Sequence, residues 1–172
     1  MPRILTVGHG RLAAEAFADL LWDAGATEVV DIRSYPGSRH NPQFGFDEMA
    51  RWLPESGIAY SWLKDLGGRR REVADSKHTA LRHPSFRAYA DHMETGAFRV
   101  GVDELLARQG TPVVMCSESV WWRCHRRLLA DHLLLVRGVD VQHLMHNGRL
   151  SPHNPTDGVR LEGGRLVYDE AP

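Results

Sequence analysis

Blocks of apolar and polar positions alternate along this chain and predict strands and helices that follow one another. Short runs rich in β-branched residues indicate buried strands, whereas apolar residues spaced three and four apart indicate helices. The pattern predicts strands over 3–7, 28–32, 58–63, 111–116 and 139–144. It predicts helices over 12–22, 46–53, 84–93, 100–108 and 124–135.

This alternation predicts an α/β fold. Parallel strands joined by helices form a sheet that is covered on both faces, so we expect a three-layer, Rossmann-like arrangement around a mainly parallel sheet. The end of the chain differs, because residues 160–168 predict a small C-terminal β-hairpin. Since the sequence contains no linker and no internal repeat, we expect a single domain over 1–172.

Two connections in this pattern stand out by length and composition. Residues 34–43 are rich in Pro, Gly, Ser and Asn and predict a loop. Residues 66–83 form a long polar connection with a Gly-Gly pair and an arginine run. Because a structureless connection of that length is uncommon in a compact domain, we expect it to be functional, mobile or partly helical.

Composition and charge narrow the classes of function. The sequence is 42% hydrophobic and 25% charged, which is typical of a globular protein, and its net charge of −1 favours neither nucleic acid nor an anionic membrane. No apolar run reaches the roughly 20 residues that span a bilayer, and the N-terminus lacks the long apolar segment of a signal peptide. Two cysteines do not make a disulfide scaffold, so we expect a cytoplasmic protein with free, metal-bound or redox-active thiols.

Polar side chains follow three of the predicted strands. His9 follows the first, Asp31 and Arg33 end the second, and Cys116 and Glu118 end the fourth. Ligands of open parallel sheets bind beyond the carboxyl ends of the strands. If these strands are neighbours, the sequence predicts one functional cleft at this edge of the sheet.

Both cysteines lie in the strand–loop–helix segment 112–127. We expect Cys116, at the strand end, to be the nucleophile or redox thiol, activated by nearby arginine and by the following helix. Cys124 is expected in the first turn of that helix, as a resolving thiol or as a metal ligand with Cys116, His125 or His9. Because the spacing between the cysteines does not match common zinc sites, the metal site is the weaker alternative. Each cysteine also fits a purely structural role in the core.

The remaining candidates either transfer protons or bind a ligand. Glu118 and His125 are expected to handle protons. The expected ligand-binding residues carry charge or let a ligand approach the backbone: His9, Asp31, Arg33, Arg39, Gly67, Gly68, Arg69 and Arg126. Asp31 and Arg33 also fit a simple ion pair that holds loops together.

With these residues placed, the chain resembles a bacterial and archaeal family known as domain of unknown function 488. The resemblance extends over nearly the whole chain, and the segments that carry it are 6–9, 30–36, 38–39, 66–69, 86–90, 115–118 and 124–126. The resemblance implies a fold and a residue pattern but no reaction. This chain departs from the pattern at 119–122, Ser-Val-Trp-Trp, where many relatives look more polar and carry proline.

A second, looser resemblance concerns topology. A strand that ends in cysteine, followed by a loop and an arginine-bearing helix, is similar to rhodaneses and cysteine phosphatases. Here the loop from Cys116 to Arg123 is one residue longer than the phosphatase pattern, and it contains Glu118, which would repel an anion. The comparison supports a thiol at a strand end and counts against phosphatase chemistry.

The leading hypothesis is therefore a thiol-dependent enzyme that acts on a small anionic or nucleotide-like substrate. The first alternative is a nucleotide- or nucleic-acid-binding module that uses the arginines and Trp121 without covalent chemistry. The second is a metal site built from Cys116, Cys124 and a histidine. The sequence assigns no cofactor and no membrane partner, and its aromatic residues favour a homodimer.

Overall fold

A computed structural model describes residues 3–170; the outer two residues at each end of the expected 1–172 domain lie outside this described part. The strands are β1 Arg3–Gly8, β2 Glu28–Asp31, β3 Ala59–Trp62, β4 Pro112–Cys116, β5 Asp140–Leu144, β6 Leu150–Pro152, β7 Val159–Glu162 and β8 Arg165–Tyr168. The helices are α1 Ala14–Asp23, α2 Phe46–Glu55, α3 Pro84–His92, α4 Gly96–Leu106 and α5 Arg126–Leu135. Within residues 3–170, no helix combines the length and the apolar character needed to cross a membrane.

Six of these strands form one sheet in the order β3-β2-β4-β1-β5-β6. Strands β1 to β5 run parallel to one another, and β6 is antiparallel to β5. Strands β7 and β8 form the separate antiparallel hairpin near the C-terminus. The expected α/β class, with a mainly parallel sheet and a small C-terminal hairpin, is confirmed.

The core lies on both faces of the sheet because successive strand residues point to opposite sides. On one face, Ile4 of β1 and Val114 of β4 pack in a cluster with side chains of α3, α4 and α5. On the other face, Leu5 and Val113 pack with side chains of α1 and α2. The three-layer arrangement follows from this alternation.

Three local features differ from the expected elements. Helix α4 begins at Gly96, several residues earlier than predicted, because the Thr95 hydroxyl accepts a hydrogen bond from the Phe98 backbone N–H and caps the helix. Helix α5 begins at Arg126, so Cys124 precedes the helix instead of lying in its first turn. Strand β6 was not expected; it follows the Asn-Gly turn and pairs with β5.

The strand order places β1 and β2 on either side of β4, so the three strand ends with polar residues are neighbours. The backbone of β1 continues against the loop after β4, where His9 N–H donates to the Cys116 carbonyl at 3.0 Å. Gly8 makes this close approach possible, because a Cβ atom there would overlap the carbonyl group of Glu118.

Replacing Gly8 by alanine is therefore expected to lower the free energy of unfolding by about 3 kcal/mol or more, because the obstructing atoms belong to the backbone and have little room to move. Chemical denaturation measures the loss. Gly37→Ala is the matched control, since a Cβ atom at Gly37 would meet no atom within 4 Å. Equal stability of the two variants would contradict the close approach.

Candidate active site

The two thiols lie side by side at the carboxyl end of β4. Cys116 is buried at the last position of the strand, and Cys124 lies just before α5. Their Sγ atoms are 3.0 Å apart, within hydrogen-bond distance for sulfur. The Cys116 thiol is also 3.5 Å from the backbone carbonyl oxygen of Glu118. One thiol proton thus has two acceptors within reach, and an ionised Cys124 is the stronger one.

Arg126 contacts the Cys124 thiol. Its side chain is buried, and its Nε and backbone N–H groups donate to Cys124 Sγ at 3.3 and 3.4 Å. Its Nη2 group donates to the Glu118 carbonyl at 2.7 Å, and its Nη1 group donates to Thr6 Oγ1 at 3.2 Å. The guanidinium is therefore fixed by contacts from β1, from the loop after β4 and from the thiol itself.

These contacts give the two cysteines different pKa values. Burial opposes ionisation of Cys124, but the hydrogen bond from Cys116 and the positive charge of Arg126 outweigh it and lower the pKa of Cys124 to about 5. Burial and the neighbouring Cys124 raise the pKa of Cys116 well above its ordinary value. At neutral pH, Cys124 is a thiolate and Cys116 keeps its proton.

Cys124 lines a cleft of about 370 Å³ beside the thiols. The cleft carries positive charge and aromatic surface: its walls include Arg33, Arg69, Arg123, Tyr35 and Phe86, together with His125. Among the described residues that line it, none is an aspartate or a glutamate. The cleft wall therefore combines positive charge with flat aromatic surface.

The family model described as "Domain of unknown function DUF488" matches residues 13–133, which is more than half of the chain. The chain belongs to the DUF488 family. The resemblance noted from the sequence is thereby confirmed, and the matched range includes both cysteines. Comparison with curated proteins gave no significant match, and comparison with solved structures gave none either.

Two of the expected catalytic residues of this DUF488 chain, Cys116 and Glu118, are not among the residues that line the cleft. Cys116 is buried behind Cys124, which lines the cleft. Glu118 meets the thiols through its backbone carbonyl, while its carboxylate lies 3.5 Å from the Val120 backbone N–H. Of the two thiols, Cys124 is therefore the one that both contacts Arg126 and lines the cleft.

His125 lies at the wall of the cleft, next to Cys124. Its Nε2 atom is 2.8 Å from the Ile32 carbonyl oxygen and donates to it, so Nδ1 carries the lone pair when the ring is neutral. Burial lowers the pKa of His125, which keeps the ring neutral at pH 7. The Nδ1 atom lies on the side of the ring that packs against Gly68.

His9, Asp31 and Arg33 meet at the neighbouring strand ends, but they bind one another. Arg33 makes a double contact with Asp31, Nε to Oδ1 at 2.9 Å and Nη2 to Oδ2 at 2.6 Å. Its Nη1 atom lies 3.4 Å from His9 Nε2, and burial lowers the pKa of His9 to about 4. Tyr60 donates to Asp31 as well. The ion-pair interpretation therefore accounts for the contacts of Asp31, while Arg33 also reaches the cleft wall.

The glycine pair of the long connection is tightly packed, and Gly68, but not Gly67, is among the residues that line the cleft. A Cβ atom at Gly67 would crowd Ser34, and one at Gly68 would crowd the ring of His125. The Arg69 backbone N–H donates to Ser34 Oγ at 2.9 Å, so this donor already has a partner. Close packing thus explains the glycines at 67 and 68 without a phosphate. Arg39 is exposed on its loop and is not part of the cleft wall.

The four residues of the alternative metal site, Cys116, Cys124, His9 and His125, are not brought together as a group of ligands. In residues 3–170, the one cluster of three such side chains is His78, Asp91 and Glu94, on a different part of the molecule. There, the Tyr168 backbone N–H donates to His78 Nδ1, so Nε2 carries the proton and faces Glu94. These contacts describe a hydrogen-bonded cluster.

Four buried polar residues near the thiols were not predicted as part of the site: Thr6, Asp131, His143 and His153. Two signals were present in the sequence. Thr6 and His143 interrupt apolar strands, and the β1–β5 register pairs them directly. Asp131 lies on the buried face of α5 between leucines. Polar residues at core positions require hydrogen-bond partners, so their positions indicated a buried network.

Proposed function

We propose that this DUF488 protein is a thiol-dependent enzyme in which the Cys124 thiolate attacks an anionic or nucleotide-like substrate bound in the arginine-lined cleft. One observation carries the proposal. Cys124 lines the cleft, and its Sγ atom accepts hydrogen bonds from Arg126 and lies 3.0 Å from Cys116 Sγ. A thiolate that is stabilised by charge and reachable from a cleft is the form of cysteine that reacts as a nucleophile.

The second thiol favours substrates with an electrophilic sulfur atom. Cys124 Sγ forms a bond to that sulfur, and the sulfur's former partner leaves with the bonding electron pair. Cys116 then loses its proton and attacks Cys124 Sγ, which releases the substrate sulfur as a thiol and leaves a Cys116–Cys124 disulfide. An external thiol reductant returns the pair to the starting state. The released sulfur takes up the proton that Cys116 loses, and His125, which lines the cleft, is assigned the transfer of that proton.

The cleft arginines support the other part of the proposal, which is that the substrate is an anion. Arg69 and Arg123 line the cleft, and neither has a carboxylate partner among the ion pairs of residues 3–170. An anion in the cleft therefore meets positive charge that is free to bind it. The neighbouring rings of Tyr35 and Phe86 offer flat surfaces to an apolar or ring-shaped part of the substrate.

Two alkylating reagents that differ mainly in charge test both halves of the proposal. Neutral iodoacetamide should label Cys124 at a rate that is level from about pH 9 to pH 6 and falls near pH 5, because the thiolate fraction follows the pKa of about 5. At pH 6 the rate should be about tenfold above that of an ordinary thiol, since a larger thiolate fraction is partly offset by lower nucleophilicity. The ratio of the iodoacetate rate to the iodoacetamide rate should be about fivefold higher at Cys124 than at a small free thiol, because the cleft arginines attract the anion. Peptide mass spectrometry assigns each label.

Two arginine variants, one a test and one its matched control, show whether the cleft charge causes the preference for iodoacetate. Arg123→Gln removes a cleft charge and should reduce the preference for iodoacetate, whereas Arg51→Gln on α2 should leave it unchanged. Ordinary, slow labelling of Cys124 would overturn the thiolate. If iodoacetate were still favoured in that case, the alternative of a nucleotide-binding module without covalent chemistry would take its place.

A further inference from the structure

A continuous chain of hydrogen bonds leads from Arg126, beside the thiols, to a buried carboxylate. Arg126 Nη1 donates to Thr6 Oγ1 at 3.2 Å, and Thr6 Oγ1 is hydrogen-bonded to His143 Nδ1. His143 Nε2 lies 2.8 Å from His153 Nδ1, and His153 Nε2 lies 2.7 Å from Asp131 Oδ1. All five residues are buried. The chain joins β1, β5 and α5 behind the cleft.

The two ends of this chain fix the directions of its first and last hydrogen bonds. A guanidinium only donates and a carboxylate only accepts. Thr6 therefore accepts from Arg126 Nη1, and His153 donates from Nε2 to Asp131. Burial lowers the pKa of His143 to about 2, in agreement with a neutral ring. Trp121 stacks on His143 with ring centroids 4.2 Å apart, which fixes the plane of that ring.

Neither end charge is part of a direct pair between a carboxylate and an arginine or lysine in residues 3–170. Asp131 accepts hydrogen bonds from His153, from the Thr156 backbone N–H and from the Tyr168 hydroxyl, but it contacts no lysine or arginine within residues 3–170. Arg126 contacts no carboxylate in the same part of the chain; its anionic neighbour is Cys124. Buried charges are costly unless they are compensated, and the chain connects these two.

We propose that Thr6, His143, His153 and Asp131 are positioning residues for the thiol chemistry. The chain holds Arg126 with Nε against Cys124, and Asp131 supplies compensating negative charge when bond formation consumes the thiolate. This inference rests on the proposed function, because it assigns the chain a role in the reaction of Cys124. The four residues act through Arg126 and are not catalytic residues themselves.

Thr6→Val and Thr6→Ser test the positioning role. Valine keeps the shape of threonine but leaves Arg126 Nη1 without an acceptor, so the guanidinium is held less firmly against Cys124. We expect the midpoint of the pH profile of Cys124 labelling by iodoacetamide to rise by about one pH unit in Thr6→Val. Serine keeps the hydroxyl, and Thr6→Ser should keep the wild-type midpoint.

Asp131→Asn tests the charge at the far end and should shift the same midpoint in the opposite direction. Asparagine still accepts a hydrogen bond from His153, but its negative charge is gone, so the thiolate near Arg126 becomes more favourable and the midpoint falls. A network with only a structural role would lower the unfolding midpoint of these variants and leave the labelling profile unchanged. That result would overturn the positioning proposal.

The same measurements separate this inference from the proposed function. If wild-type Cys124 labels like an ordinary thiol, the proposed function fails before any variant is considered. If wild-type Cys124 is activated but Thr6→Val and Asp131→Asn share its profile, only the positioning role fails. Circular dichroism of each variant shows whether it is folded, and Thr6→Ser provides a folded reference if Thr6→Val is unstable.

Discussion

Replacing Arg126 by methionine is expected to raise the pKa of Cys124 from about 5 to its ordinary value of about 8.5 or higher. Methionine fills part of the same buried volume but carries no charge and no donor. Cys124 then loses its contact with the Nε group and the charge that outweighs burial, so desolvation favours the neutral thiol. Labelling by iodoacetamide at pH 6 should fall about tenfold.

Arg126→Lys is the informative partner of this variant. Lysine keeps a positive charge but cannot reach Cys124, Thr6 and the Glu118 carbonyl at once, as the guanidinium does. We expect a midpoint of the labelling profile between those of the wild type and Arg126→Met. A profile that is unchanged in Arg126→Met would show that the thiolate does not depend on this side chain.

Much of the fold could be predicted from the sequence, because strand and helix periodicities reflect burial. The parallel strands were recognisable from β-branched runs, and their ends gave His9, Asp31 and Cys116 as neighbours once the sheet order was known. Strand β6 was missed since it has only three residues, at Leu150–Pro152, and its pairing partner β5 lies across a turn. Short edge strands carry too little periodic signal.

The relative roles of the two thiols depend on side-chain contacts that the sequence pattern does not specify. Cys116 and Cys124 both follow from the same segment, but their acidities depend on which one Arg126 contacts and which one faces the cleft. These contacts depend on the residue at which α5 begins. A helix can begin one or two residues earlier or later with the same pattern of apolar and polar positions. The polar residues behind Arg126 come from strands and loops far apart in the chain, so their convergence required the tertiary structure.

The second large effect concerns the buried ion pair beside the cleft. Replacing Asp31 by alanine is expected to lower the free energy of unfolding by about 3–5 kcal/mol, because it leaves the Arg33 guanidinium buried without its partner. Tyr60 loses the acceptor of its hydroxyl in the same variant. Urea denaturation with a linear extrapolation measures the loss.

Two further variants show whether the loss comes from an unpaired buried charge. In Asp31→Ala with Arg33→Met, the charge is removed together with its partner, so the double variant should be more stable than Asp31→Ala alone. Asp103→Ala breaks the exposed pair with Arg137, and solvent screening should limit its effect to about 1 kcal/mol or less. If Asp31→Ala cost no more than Asp103→Ala, the pair would be a solvated contact, and Arg33 would be free to bind the substrate anion instead of Asp31.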